Sequence, residues 1–215
     1  NDFDDRLAGA GNPGITYTED AGLIDFDYTD NQNLLSLRQA LPFPSQSYLN
    51  IYIVDEVLIN GNSDPEGVST TGPNPVIDGI ALEYEVFGDG SYTNPGGVAS
   101  STDGKVLVHE SGHWLGLLHI FKVDQTTGCI PSNCLTTGDM VCDTPPNSSG
   151  NPFSCAGTWT SSSCYTAGNP ANNFMNYSNC LSTFTAGQTY KMHFMLDNAR
   201  NYIVSDLNLI NTGLL

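Results

Sequence analysis

The sequence predicts an α+β fold built as one domain over residues 1–215, and three observations point to it. Runs rich in β-branched and aromatic residues fall in the first half of the chain. Apolar residues at helical spacing, with start or stop signals, mark two stretches, around 104–116 and 185–203. Between those stretches lies a loop-rich region that holds all six cysteines. A chain of 215 residues is long for a single domain yet can bury a sizeable core, and it has no internal repeat. An upper part is expected to end at about residue 119 and a lower part to follow from about 120.

Residues 1–22 are polar and acidic, with Gly9, Gly11, Pro13 and Gly14, and read as a loosely held arm. Leu34, Leu35, Leu37 and Leu41 have helical spacing, which predicts a helix over 30–41 stopped by Pro42 and Pro44. Tyr48 to Val54 reads as a strand, followed by a Gly/Asn/Asp-rich loop over about 60–66. Gly67 to Thr71 is a short β-prone piece, and Ile77 to Tyr84 reads as another strand. Residues 88–103 form a loop, at whose end Thr102 or Asp103 can cap a helix starting near Lys105. Its buried side chains would be Val106, Leu107, Trp114 and Leu115. Residues 122–173 contain five of the six cysteines and little periodicity. Thr185-x-x-Gln188 is a capping box that opens a last helix, with Met192, Met195, Leu196, Ala199 and Ile203 as its apolar stripe.

The stretch that carries chemistry is His109-Glu110-Ser111-Gly112-His113-Trp114-Leu115-Gly116-Leu117-Leu118-His119, an HExxHxxGxxH pattern. On a helix, positions i and i+4 stack on one face, so His109 and His113 can offer two imidazole nitrogens to one ion. Glu110 is offset around the helix and is better placed to hold a metal-bound water than the metal. A catalytic zinc site needs a third protein ligand and one open position. His119 would lie on another face of a continuing helix, but Gly116 can take the left-handed conformation that ends a helix and turns the chain back. No glutamate follows Glu110. Asp124, Asp139 and Asp143 remain open as weaker third ligands. His193 reads as an ordinary packed or surface histidine. The bare HExxH pattern also arises by chance on amphipathic helices, whereas the eleven-residue form holds three of the chain's four histidines.

Twenty-three acidic residues face six basic ones, for a formal charge of −17. Nucleic acid and anionic membrane are therefore poor partners. No apolar run approaches the length of a membrane span. No signal-peptide pattern opens the chain, so residue 1 is expected to begin a processed or truncated form, and the protein is expected to be a monomer. An even, clustered set of cysteines (Cys129, Cys134, Cys142, Cys155, Cys164 and Cys180) suggests three disulfides and a secreted, extracellular location. The spacings Cys129–Cys134 and Cys134–Cys142 lack the C-x2-C pattern of a thiolate metal cluster.

The eleven-residue motif, together with Asn173-Phe174-Met175-Asn176-Tyr177-Ser178, resembles the metzincin metallopeptidases with their Met-turn. His113 to Leu117, the segment Gly138 to Pro145, and Cys180 leading into Phe184-Thr185-Ala186-Gly187-Gln188 are similar to the pappalysin branch. The resemblance is strong over 104–195, looser over 46–103 and weak before that. It implies a twisted mixed sheet with the active-site helix above a disulfide-held lower subdomain that ends in a C-terminal helix. It implies one catalytic zinc on His109, His113 and His119, with Glu110 as general base. Tyr177 would steady the oxyanion, and Met175 would form an apolar floor under the imidazoles. An edge strand near 67–71 would align an extended polypeptide substrate. Asp139 and Thr144 match oxygen donors of a structural calcium loop, although Pro146 stands where relatives often have an acidic residue. A Cys155–Cys180 bridge is implied in the same way. In relatives that select a basic residue after the cut, an Asp lies between the Met-turn tyrosine and the next cysteine. Here only Ser178 and Asn179 intervene before Cys180, so strict Arg or Lys selection is expected to be lost. Two other readings compete: a zinc-bearing binding or adhesion module with incidental peptidase activity, and an amidase acting on small substrates. Glu110 speaks against the first, and the edge strand against the second.

Overall fold

The computed structural model describes residues 25–30, 36, 43–63, 66–73, 78–87, 104–121, 134, 138–144, 170–178 and 180–215. Within these, β1 (Asp25–Asp27), β3 (Glu56–Ile59) and β4 (Asn62–Ser63) form one sheet in the order β1-β3-β4. β2 (Ile51–Val54), β6 (Ile80–Glu83) and β5 (Gly67–Ser69) form a second in the order β2-β6-β5. β1 runs parallel to β3 and β2 parallel to β6, while β4 and β5 are antiparallel to their neighbours. The helices are α1 (Lys105–Trp114), α2 (Ala186–Asn198) and α3 (Asp206–Asn211).

Strand β6 is the central piece, because both of its faces are covered. Ile80 and Leu82 pack with Trp114 and Val86 on the side of α1. Ala81 packs on the opposite side with Phe26, Val54 and Val57, which join the two sheets. That double burial is why Ile80-Ala81-Leu82 is a continuous apolar run. The strand read at 48–54 is shorter than expected and starts at Ile51. Tyr84, expected to end the last strand, begins a 3-10 turn over Tyr84–Val86. Ile77, the 1–22 arm and all but Asp30 and Ser36 of the 30–41 helix lie outside the described residues.

Where a plain loop over 60–66 was expected, a tight hairpin joins β3 and β4. Ile59 pairs with Asn62, and the two turn residues have positive φ, 54° at Asn60 and 71° at Gly61. Asn-Gly favours this mirror-image turn because its twist matches that of the strands. Asp27 fastens the turn to β1. Its carboxylate accepts the Gly61 N–H at 2.7 Å and the Thr29 N–H at 2.8 Å, and Thr29 Oγ1 accepts the Asn60 N–H at 2.8 Å.

Helix α1 begins at Gly104, which is left-handed (φ 71°) and gives no side-chain cap, and the expected caps Thr102 and Asp103 lie outside the described residues. Its most buried residues are His109, Glu110, Gly112 and Trp114. Val106, Leu107 and Leu115 are only partly buried. Helix α2 has both halves of the Thr185–Gln188 capping box. Its expected stripe divides: Met192 packs toward Leu117 and Met175, and Leu196 toward Ile80 and Trp114, whereas Ile203 reaches that second cluster from the turn after the helix, which ends at Asn198. Ala199 is exposed at the C-cap and is not part of the stripe. Helix α3, capped by Ser205, was not anticipated. The Ser205-Asp206 pair is a helix-start signal, but the six-residue element holds two asparagines and buries no residue.

A buried ion pair ties these pieces together. Arg200 and Asp78 have side-chain exposures of 0% and 2% and are directly bonded through Nη1 and Oδ2. Arg200 Nε donates to the Trp114 carbonyl at 3.0 Å, and its guanidinium lies 3.9 Å from the Trp114 ring centroid. Trp114 Nε1 and Thr70 Oγ1 both donate to Asp78 Oδ1, at 3.1 and 2.5 Å. One carboxylate therefore joins the approach to β6, the segment after β5, the end of α1 and the chain after α2. Removing one partner leaves an uncompensated buried charge, which costs about 3–5 kcal/mol. Arg200→Met should lower unfolding free energy in urea at pH 7 by that amount, with the disulfides intact. Adding Asp78→Asn to that variant should recover part of the loss, because the stranded charge is gone. An Arg200→Met protein as stable as wild type would contradict the network.

Candidate metal centre

His109 and His113 lie one turn apart on α1, and the helix ends directly after them. Leu115 is the C-cap, Gly116 has φ 84°, the Gly116 N–H donates to the His113 carbonyl at 2.8 Å, and the Leu117 N–H donates to the Gly112 carbonyl at 2.9 Å. These two bonds are the pattern of a Schellman stop. A Cβ at position 116 would also lie 2.5 Å from Met195 Cε, whose flexible end would have to move aside, so the left-handed backbone is the stronger reason for glycine there. The reversal brings His119 back to the helix. Its Nε2 lies 3.1 Å from Nε2 of His109 and 2.9 Å from Nε2 of His113. Among the described residues these three side chains are the group able to hold a metal ion, with ligand atoms within 4.8 Å of one another. His193 is exposed and outside it.

The residues fit a cation. The His109 Nδ1–H donates to the Phe174 carbonyl at 2.5 Å, and the His113 Nδ1–H donates to the Leu117 carbonyl at 2.9 Å. With Nδ1 protonated, Nε2 presents its lone pair inward. Tetrahedral zinc with nitrogens at about 2.0–2.1 Å sets ligand atoms about 3.3 Å apart, so the two contacts that His119 makes need to open by only a few tenths of an ångström. Burial, with the neighbouring His113 charge, holds His109 down to about 4, against the smaller upward pull of the Phe174 carbonyl. It is thus a neutral ligand at ordinary pH.

Glu110 is 6% exposed, and burial pushes its carboxyl up to about 7. The Ser69 hydroxyl on β5 lies beside it without meeting it in hydrogen-bond geometry, so its opposing pull is weak. β5 comes this close because residue 67 is glycine: a Cβ there would sit 2.6 Å from Leu82 and 3.2 Å from Glu110 Cγ. Among the described residues β5 is an edge strand of its sheet, as read from Gly67 to Thr71, though it ends at Ser69. Met175 is fully buried, and Gly112 makes room for it, since a Cβ at 112 would lie 2.5 Å from Met175 Sδ. The Tyr177 ring is half exposed, with its centroid 4.8 Å from that of His119 and 5.7 Å from that of His109. Phe121, which sequence reasoning missed, stacks on His119 at 4.5 Å. Gly67 and Gly112 were also missed as close-approach positions, although a glycine inside a helical pattern is a signal of that need.

Of the carboxylates kept open as third ligands, Asp139 and Asp143 are not part of the triad's cluster. Asp143 is engaged at the start of α2, accepting from Thr185 Oγ1 and from the Gly187 N–H, both at 2.8 Å. Asp139 Oδ1 accepts the Val141 N–H at 3.1 Å. Asp139 Oδ2 and Thr144 Oγ1 are buried and meet no partner in hydrogen-bond geometry, and burial raises the Asp139 carboxyl against the smaller downward pull of the nearby Thr144 hydroxyl. Unmatched oxygen donors in one loop suit a hard cation. Lys191 donates to the Asp139 main-chain oxygen at 3.1 Å. Cys134 and Cys142 are bridged, and Cys180 is also in a disulfide. Asp124, Cys129, Pro146, Cys155, Cys164 and Asn179 lie outside the described residues.

The three imidazoles fit a zinc site, and comparison with known proteins identifies the family. The peptidase family model described as "Pregnancy-associated plasma protein-A" matches residues 40–197. The chain belongs to this pappalysin family. An extracellular metalloprotease of Sordaria macrospora is 31% identical over 189 residues, covering 83% of this chain and 59% of its own length. One of Arthroderma gypseum is 35% identical over 186 residues, covering 80% and 58%. The chain thus spans a little over half the length of these curated relatives. Mature mirolysin of Tannerella forsythia, solved with a cleaved peptide, has a TM-score of 0.55 at 26% identity over 74% of this chain and 57% of that one. Mirolysin with compound 9 reaches a TM-score of 0.66 over 92% of this chain and 71% of that one, at 24% identity, and shares the fold. The α+β, metzincin-like architecture expected of a pappalysin is the one observed.

The buried carboxyl gives the metal-free protein a defined pH dependence. A glutamate whose folded pKa is raised is favoured neutral in the fold, so stability falls as pH rises from about 4.5 to about 7. His109 acts in the opposite sense, adding stability as pH rises from about 4 to 6.5. In wild type the two slopes offset over their shared range. Glu110→Gln removes one of them, so the chelator-stripped variant should gain up to about 3 kcal/mol over stripped wild type at pH 8 and little at pH 4. Urea unfolding at both pH values checks this, and a pH-independent difference would contradict it.

Proposed function

We propose that this domain is a secreted zinc endopeptidase that hydrolyses internal bonds of extended polypeptides. The observation that carries the reading is the convergence of three imidazole Nε2 atoms beside a buried Glu110. Zinc, when bound, lowers the pKa of a coordinated water and polarises a carbonyl. His109, His113 and His119 would hold it. Glu110 accepts the water's proton and hands it to the leaving amine, and its raised pKa suits that exchange near neutrality. Tyr177, beside two of the ligands, donates its hydroxyl to the oxyanion. Met175 supports the imidazoles from below. The free side of β5 pairs with the substrate main chain and runs it past Glu110. The peptide complex of mirolysin supports a polypeptide substrate, and the relatives' naming as extracellular supports secretion. A non-catalytic zinc module has no use for a buried carboxylate at this place. The polypeptide reading also leaves Ser178 and Asn179 without a carboxylate to pair with an arginine or lysine after the cut. A cleavage profile over a peptide library should therefore lack a sharp basic preference at that position.

Glu110→Ala should lose nearly all peptidase activity while keeping its zinc, whereas His119→Ala should lose both. Elemental analysis alongside casein hydrolysis separates the two, and wild-type turnover in Glu110→Ala would refute the mechanism.

The loop of Asp139 and Thr144 is proposed to bind a structural calcium ion. Calcium at a hundred times its dissociation constant should add about 2.7 kcal/mol to the stability of calcium-free protein. Asp139→Ala should abolish the gain. An unchanged melting temperature in excess calcium would exclude the site.

A further inference from the structure

The peptide group between Phe174 and Met175 meets the metal centre from behind. Its carbonyl accepts the His109 Nδ1–H at 2.5 Å, and its N–H donates to Asn173 Oδ1 at 2.9 Å. Asn173 forms a two-way amide pair with Gln188. Asn173 Nδ2 donates to Gln188 Oε1 at 2.8 Å, and Gln188 Nε2 donates to Asn173 Oδ1 at 3.2 Å. Asn173 is 3% exposed and Gln188 0%. Gln188 Oε1 also accepts the Thr185 N–H at 3.0 Å, which closes the capping box of α2.

We propose that Asn173 and Gln188 are positioning residues for the metal centre, holding the Phe174–Met175 peptide at the tilt that keeps His109 in its ligating orientation and tautomer. The inference rests on the zinc reading above.

Two features argue against a purely structural role. The cap needs only the Gln188 oxygen, so the Nε2 donor is surplus to it and is directed to Asn173. The orientation of both amides is also dictated, because a backbone N–H faces each oxygen. Asn173 Oδ1 then takes two donors, its full acceptor capacity. The chain from Gln188 to His109 is continuous: two bonds from Gln188 fix the Asn173 amide, whose oxygen holds the Met175 N–H and with it the Phe174 carbonyl that accepts from His109. A stronger acceptor at Nδ1 makes Nε2 the better ligand. No other described side chain provides this route. Without Asn173 the Met175 N–H would be buried and unpaired, and the peptide would be free to rotate away from His109.

Zinc affinity, measured by competition with a chelator, and the visible spectrum of the cobalt-substituted protein test this without reference to turnover. Asn173→Ala should weaken zinc binding roughly 10–100-fold and shift the cobalt bands. Gln188→Glu keeps an oxygen for the helix cap and removes only the Nε2 donor, so it should move both readouts in the same direction by less. Ser205→Ala, which uncaps the distant α3, should lower the melting temperature and leave both readouts unchanged. Wild-type affinity and spectrum in a folded Asn173→Ala would overturn the proposal. If that variant does not fold, wild-type values in Gln188→Glu would overturn it instead. An equal loss in Ser205→Ala would reduce the effect to general destabilisation and overturn it as well. A wild-type protein that takes up no zinc would fail differently, removing the peptidase reading itself.

Discussion

Helix α1 has to stop within one turn of His113, and the rest of the structure depends on that stop. If α1 continued, His119 would face away and two imidazoles would remain. Gly116 permits the stop through its left-handed backbone, and the Schellman bonds satisfy the helix-end carbonyls of Gly112 and His113. The stop is then clamped from three sides. Met195 of α2 fills the space a side chain at 116 would occupy. Arg200 holds the Trp114 carbonyl at the last helical residue. Met175 rises under Gly112 and, through its own carbonyl, accepts the Ile120 N–H at 3.2 Å, which anchors the segment just after His119. These contacts come from elements far apart in the chain, so the geometry of the triad is set by the whole fold and not by the eleven-residue motif alone.

Much of the site was legible because its parts are local. The spacing of His109, Glu110, His113, Gly116 and His119 encodes a helix, a stop and a return, and each follows from backbone geometry. The α2 cap was legible for the same reason, since Thr185 and Gln188 meet within one turn. What escaped notice is non-local. Nothing near Asp78 in sequence points to Arg200, and their pairing exists only once β6, α1 and the chain after α2 have packed. Likewise Gly67 reads as a strand's first residue until Glu110 is brought against it. The hairpin at Asn60-Gly61 is a different case. Its turn signal is local and strong, but β3 and β4 are so short that the alternation that marks a strand does not develop.

Electrostatics divide the molecule sharply. Its surface is acidic, yet two of the six basic side chains are committed to internal structure. Arg200 is fully buried against Asp78. Lys191 is half-buried against the Asp139 carbonyl, where burial depresses its pKa despite the favourable pull of the Asp139 carboxylate. Positive charge is thus used to hold loops and strands in place around α1. The metal centre follows the same logic. His109 is kept neutral and Glu110 is kept from ionising easily by the same burial; a bound cation requires the first condition and reverses the second.

X-ray absorption at the zinc edge of the protein as isolated is the most direct test of this account. The geometry of the triad predicts three imidazole nitrogens and one further oxygen at about 2.0 Å, with no sulfur in the first coordination shell. A sulfur scatterer at about 2.3 Å, or fewer than three imidazoles, would contradict the return of His119 to the helix on which everything else here is built.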